Sequence, residues 1–318
     1  MIPVMLSVLL SPPAEAGDLA TFVGGAAHVS ADATAAGDTL GAEAEVDLRA
    51  EQGPLYIRVD LDYQSSLTDP ATDGDTVLAE VMPEWAMVKA TIGPGYVKAG
   101  VVTAGIGLED WDPWNNYLPT YSLWFAGGSP GRLIGGQAGL TVGDGGDLFA
   151  FGGYDVDYGA VAAGAGINVE QDAWGTYSGL AVYPSLDYDG DGTAGAFLEV
   201  VSATELYPSE KLTLTLDGGV GLNEGHLVGA AQLLGVLLPE GIVSPTLRVE
   251  GRLDPDAFSG LPAGTASAGA KSTLFDHLVL MGEAKETFFG DGVNDFGLYV
   301  SVTGLIAPPD GDTARFED

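Results

Sequence analysis

Two successive segments of the chain alternate apolar and polar residues with a period of two. In the first, Leu40, Ala42, Ala44, Val46 and Leu48 interleave with Glu43, Glu45, Asp47 and Arg49. In the second, Leu55, Ile57, Val59, Leu61 and Tyr63 interleave with Tyr56, Arg58, Asp60, Asp62 and Gln64. Successive side chains of a β-strand point to opposite faces, so each segment has one apolar and one charged face. Each approaches the roughly 9–11 residues of a tilted membrane-crossing strand. Strands of soluble sandwiches usually stop at about 5–6 residues.

The theme continues to the end of the chain, with Gly, Asp, Pro or Asn at most breaks. Further strands are expected over 17–29, 77–89 (interrupted by Pro83), 95–104, 132–142, 147–154, 159–169 and 173–183. The second half adds 193–204, 211–222, 226–238, 242–253, 265–274, 277–287 and 296–306. The expectation is an all-β fold: a transmembrane antiparallel up-and-down barrel of about 16 strands, within a range of about 12–18. An even number is favoured because both chain ends of a bacterial barrel normally lie on one side. No repeated motif at fixed period suggests a propeller or solenoid. Where both faces are built from Gly and Ala, as in 159–166, the sequence does not assign the lipid side.

Composition narrows the class. The chain has 318 residues, 48 glycines and no cysteine, and no apolar run reaches the length of a membrane helix. Residues 1–16 read as a secretory signal: apolar to Leu10, broken at Ser11-Pro12-Pro13, with Ala14-Glu15-Ala16 as cleavage site. Its departure is an n-region without Lys or Arg. The barrel is then assigned to 17–307 and a short acidic C-terminal tail to 308–318. A net charge of −34 excludes nucleic acid as a natural partner, since phosphate binding needs basic patches. The charge reads either as a solvating surface or as an acidic pore that favours cations.

The segment 83–142 is the least generic. Val97-Lys98-Ala99-Gly100 is followed by Gly107-Leu108-Glu109-Asp110, Asn115-Asn116, Tyr121-Ser122-Leu123-Trp124-Phe125, Pro130 and Gly135-Gly136. This order resembles the β-barrel porin family of bacterial outer membranes often called OmpL-like or porin-2. The resemblance implies a barrel and a pore, without a catalytic set. Implied partners are outer-membrane lipid and lipopolysaccharide, small hydrophilic solutes or cations, and the barrel-assembly machinery. A homotrimer is left open. Against a standard insertion signal, Ala307-Pro308-Pro309 ends the last strand pattern and Phe316 stands third from the end.

Within this segment Trp111, Trp114, Tyr117, Tyr121, Trp124 and Phe125 are too aromatic to project into water. They suit an interfacial girdle or a packed loop. Glu109, Asp110, Asp112, Asn115 and Asn116 are candidates for a constriction. The pore-lining candidates are Glu43, Glu45, Asp47, Arg49, Arg58, Asp60 and Asp62, where arginine facing carboxylates would set up a transverse field.

Other chemistry is sparse. His28 and Ser30 share a strand face, as in a barrel phospholipase, but no oxyanion motif accompanies them; a polar lumen pair is the simpler reading. His226 and His277 sit near strand beginnings, and metal binding is no more expected of either. Asp187, Asp189 and Asp191 with Gly192 match the opening of a calcium loop, but position 12 is Leu198. Weak Ca2+ or Mg2+ binding is the most this loop offers, and no other cofactor is expected. The sequence reading is a non-enzymatic porin passing small hydrophilic solutes or ions, with a preference for cations. The alternative is a plugged barrel serving as adhesin, receptor or structural protein.

Overall fold

The computed structural model describes residues 19–34, 37–68, 77–103, 116–120, 131–143, 145–187, 194–223, 226–253, 264–275, 277–289 and 294–306. The expected signal segment and acidic tail lie outside these. The strands are β1 (Ala20–Thr34), β2 (Gly37–Gln52), β3 (Leu55–Thr68), β4 (Val77–Ile92), β5 (Gly95–Thr103), β6 (Arg132–Thr141), β7 (Gly146–Asp155) and β8 (Ala160–Gln171). They continue with β9 (Trp174–Leu186), β10 (Gly195–Ser209), β11 (Leu212–Asn223), β12 (His226–Leu237), β13 (Val243–Leu253), β14 (Gly264–Leu274), β15 (Leu278–Phe288) and β16 (Asn294–Ile306). Each pairs antiparallel with its sequence neighbours, and β1 pairs with β16, closing the barrel. Closure leaves no unpaired edge, the condition a sheet must meet in a bilayer.

The alternation decides the faces. Val46 and Leu48 of β2, Ile57 and Leu61 of β3, Leu247 and Val249 of β13, and Leu298 and Val300 of β16 are exposed on the outside. Their polar neighbours in sequence point into the barrel. Pro83 is accommodated where the β3–β4 register shifts, between the Asp60–Trp85 and Leu61–Pro83 pairs. A bulge removes the need for the ladder N–H that proline lacks.

Short turns define one end of the barrel. Gly53 and Gly93 adopt φ of 60° and 61° in the two-residue turns before β3 and β5, a region open to glycine at little cost. Ala20 pairs with Glu51 beside the first of these turns, and Ile306 pairs with Gly25. Both ends of the described barrel therefore lie at the short-turn end, whereas the connections 69–76, 104–131, 187–194 and 254–263 leave from the other.

The abundant glycine has a packing role that the sequence alone conceals. Inward aromatic rings lie over neighbouring glycines: Phe151 over Gly164, Tyr96 over Gly139, Phe197 over Gly221 and Tyr299 over Gly297. A β-carbon at Gly164 would stand 2.3 Å from the Phe151 ring and 2.1 Å from the Leu180 carbonyl. Gly164→Ala is expected to cost about 1–3 kcal/mol through overpacking. Gly152→Ala, whose nearest new contact is 3.7 Å away, is expected to be nearly neutral. Denaturant unfolding in lipid vesicles would compare the two, and equal stabilities would refute this role for glycine.

Candidate functional site: the barrel interior

All seven wall residues singled out from the sequence face the interior. Glu45, Asp47, Arg58, Asp60 and Asp62 are buried, and Glu43 and Arg49 are half-buried. The β2–β3 register sets like against like: Glu45 opposite Asp62, Asp47 opposite Asp60, Arg49 opposite Arg58. The arginines therefore share one wall with the five carboxylates named with them. They occupy a layer of the same wall, closer to the short turns. An acidic block stands above a basic layer on this wall, because the strand period stacks residues i and i+2 on one face. Arg58 joins the layers by donating to Asp60, its neighbour two residues on.

The basic layer extends sideways through residues that were not among the pore-lining candidates. Lys89 of β4 pairs in register with Lys98 of β5, beside Arg58 and Tyr56 of β3. Aromatic rings separate these cations. Arg58 lies 4.8 Å and Lys98 5.9 Å from the Trp85 ring, and Lys89 and Lys98 lie 5.5 and 5.4 Å from Tyr96. Each ring face offers partial negative charge to an ammonium or guanidinium group. Tyr96 in turn donates to Asp147 at 2.7 Å.

A second charged group sits half the ring away. The stretch Asn116–Thr120 lies against β13–β15, opposite the strands β5 and β6 that precede and follow it in the chain. The Thr120 hydroxyl donates to Glu283 at 2.7 Å, and Arg248 donates to the Thr120 carbonyl at 2.6 Å. Arg248 also donates to the Thr120 hydroxyl and, at 2.9 Å, to Glu283. Glu250 lies 3.7 Å from Arg248 and accepts from Thr265. Lys271 lies 5.7 Å from the Tyr117 ring, and Leu118 is buried over Gly269, which leaves it room. Arg248 and Glu283 are mid-strand, so this stretch narrows the barrel near half its height.

Asn116, among the constriction candidates, is thus inside the barrel and buried. Glu109, Asp110, Asp112 and Asn115 lie outside the described residues, as do Asp189 and Asp191; Asp187 is exposed at the end of β9. His28 is hydrogen-bonded to Thr303 at 2.7 Å across the β1–β16 seam. Its described bond is therefore a strand-to-strand tie.

The interior is not polar all round. Phe149, Phe151, Ala162, Ala181, Tyr183, Phe197, Val201 and Val228 form one buried cluster on the inner side of β7–β12. At its edge Asp155 accepts hydrogen bonds from the Gly131 amide and the Tyr183 hydroxyl, each 3.0 Å, and from the Asp157 and Tyr158 amides. One carboxylate thereby ties the start of β6 to the β7–β8 turn. Arg132 and Asp157 form an ion pair beside it.

The scarce cations are unevenly placed. Of the ten Lys and Arg among the described residues, all but Arg132 and Lys211 occupy inward strand positions. The interior is therefore much less acidic than the net charge of −34 implies. Arg248, Glu250 and Arg252 carry the same alternating signature as β2 and β3, against Leu247, Val249 and Gly251, and could have been read from it. The contact of Thr120 with β13–β15 could not, since it joins positions 128 and 163 residues apart.

No family model matches the chain, and no curated protein matches it in sequence. Solved structures match in fold. OmpF of Salmonella typhi, in complex with daunomycin, superposes with a TM-score of 0.68 at 12% identity, over 90% of this chain and 97% of that one. The OmpT outer membrane protein of Vibrio cholerae lacking loop L8 gives 0.60 at 10% identity, over 90% and 99%. A triple mutant of the Rhodopseudomonas blastica porin gives 0.59 at 14% identity, over 90% and 100%. The fold is that of the sixteen-stranded porins.

Proposed function

We propose that the protein is an outer-membrane channel for passive diffusion of small hydrophilic solutes or ions, cation-preferring and without covalent chemistry. One observation carries this reading: a closed barrel, apolar outside, has a charged inner wall faced by a chain segment held at mid-height. A wall of fixed charges with mobile water between them passes ions and polar solutes by size and sign. The excess of inward carboxylates over inward cations supports a preference for cations. The concentration of Lys and Arg inside argues that the preference is mild. Placement in the outer membrane, contact with lipopolysaccharide, delivery by the barrel-assembly machinery and a homotrimeric state belong to the same reading. Kinship with the OmpL-like porins rests on the motif order in 83–142.

The test is single-channel recording of the detergent-folded protein in a planar bilayer under a KCl gradient. Discrete conductance steps with a reversal potential of cation sign are expected. Equal K+ and Cl− permeability would refute the cation preference. A well-folded barrel without steps would refute the channel and favour a receptor or adhesin.

A further inference from the structure

Glu45 and Asp47 of β2 and Asp60 of β3 each place a carboxylate oxygen within 4.8 Å of the others. All three are buried, with relative exposures of 5%, 8% and 0%. The ladder forces this proximity: Asp47 and Asp60 are direct cross-strand partners on one face, where like charges repel. On the β1 side the register partners are Gly24, opposite Asp47, and Ala26, opposite Glu45, whose side chains offer no donor. Arg58 engages one oxygen of Asp60. The other Asp60 oxygen and Oδ1 of Asp47 are both buried without a hydrogen-bond partner. Buried acceptors are normally satisfied, and a carboxylate more stringently than a neutral group. The Arg58 contact therefore leaves two buried acceptors of this group unmet.

We propose that Glu45, Asp47 and Asp60 bind a hard divalent cation, Ca2+ or Mg2+, on the inner wall of the barrel. A donor set made only of carboxylate oxygens selects these ions over softer metals. Carboxylates from two adjacent strands supply part of the coordination shell, and lumen water supplies the remainder. Arg58 bounds the site on the short-turn side. The bound ion would cancel two negative charges of the wall and weaken its attraction for monovalent cations.

Trp85 makes the site observable, because it is the cross-strand partner of Asp60 and lies under Arg58. Tb3+ added to the chelator-treated, detergent-folded protein should show Trp-sensitised emission that millimolar Ca2+ displaces. Trp85→Phe should lose most of the emission while Tb3+ still binds by calorimetry. Asp47→Asn with Asp60→Asn should weaken binding by at least about 10-fold. Asp187→Asn with Asp189→Asn should leave it unchanged. Heat-dependent gel mobility checks folding, and Glu45→Gln, which leaves the aspartates in place, stands in if the double variant does not fold. Unchanged affinity in the wall variants would place the ion on exposed acidic loops and overturn the proposal. Absence of binding at millimolar Ca2+ would overturn it too, in favour of carboxylates that share a proton. These readouts do not depend on whether the barrel conducts.

Discussion

Arg248→Met is expected to destabilise the barrel by about 3–5 kcal/mol, because it leaves charged partners buried and unmatched. The side chains of Arg248 and Glu283 are 2% and 0% exposed, and Glu250 is 1% exposed. Without the guanidinium, two carboxylates lose their neutralising partner and the Thr120 carbonyl loses a donor. Methionine keeps the bulk, so the loss reports charge and hydrogen bonding and not a cavity. The mutation also releases the stretch Asn116–Thr120 from β13, and a channel should then show larger and noisier current steps. Thr120→Val separates the two effects. It removes the hydroxyl contacts at a cost of about 1–3 kcal/mol while leaving the Arg248–Glu283 pair on the wall. Guanidinium unfolding in lipid vesicles followed by Trp fluorescence gives the stability, and bilayer recording gives the current. An Arg248→Met loss below about 1 kcal/mol, the worth of a solvated pair, would show that lumen water reaches the cluster and that the latch is weak.

Leu247→Arg is expected to cost about 2–4 kcal/mol in a bilayer, the penalty for a cation on the lipid face near mid-depth. Leu247 is 64% exposed, near the middle of β13 and one residue before inward Arg248. Two adjacent positions on one strand thus have opposite requirements. Position 248 needs a cation, and position 247 excludes one, because successive side chains face water-accessible protein and hydrocarbon in turn. Thr213→Lys, which adds a cation at an inward position of β11, is the control and should cost less. If both variants were equally stable in vesicles, the apolar outer belt would not be a lipid-facing surface.

Strand positions and faces were legible where alternation was strong. In β2, β3 and β11 large apolar residues interleave with charged or hydroxyl ones, and a one-residue slip would reverse every face. Boundaries were less so: β1 was expected over 17–29 and runs from Ala20 to Thr34, since its Gly and Ala positions carry little hydrophobic contrast. In the site, the alternation of β2 and β3 made the inward face of Glu43, Glu45, Asp47, Arg49, Arg58, Asp60 and Asp62 legible. Which charges stand opposite one another was not legible, because that depends on register and on the opposite wall. Lys89 escaped notice because Pro83 and the bulge beside it interrupt the alternation of β4.

The sequence by itself determined an antiparallel barrel of about sixteen strands and which side chains of β2 and β3 point inward. Both follow from local period, which acts over a few residues. Only the tertiary structure decided the rest: that Thr120 is held by Arg248 and Glu283, that Asp47 stands opposite Asp60 with one unmet oxygen on each, and that glycines make space for Phe151 and Tyr96. These depend on closure of the ring and on cross-strand register, which bring together residues whose separation along the chain carries no local signal.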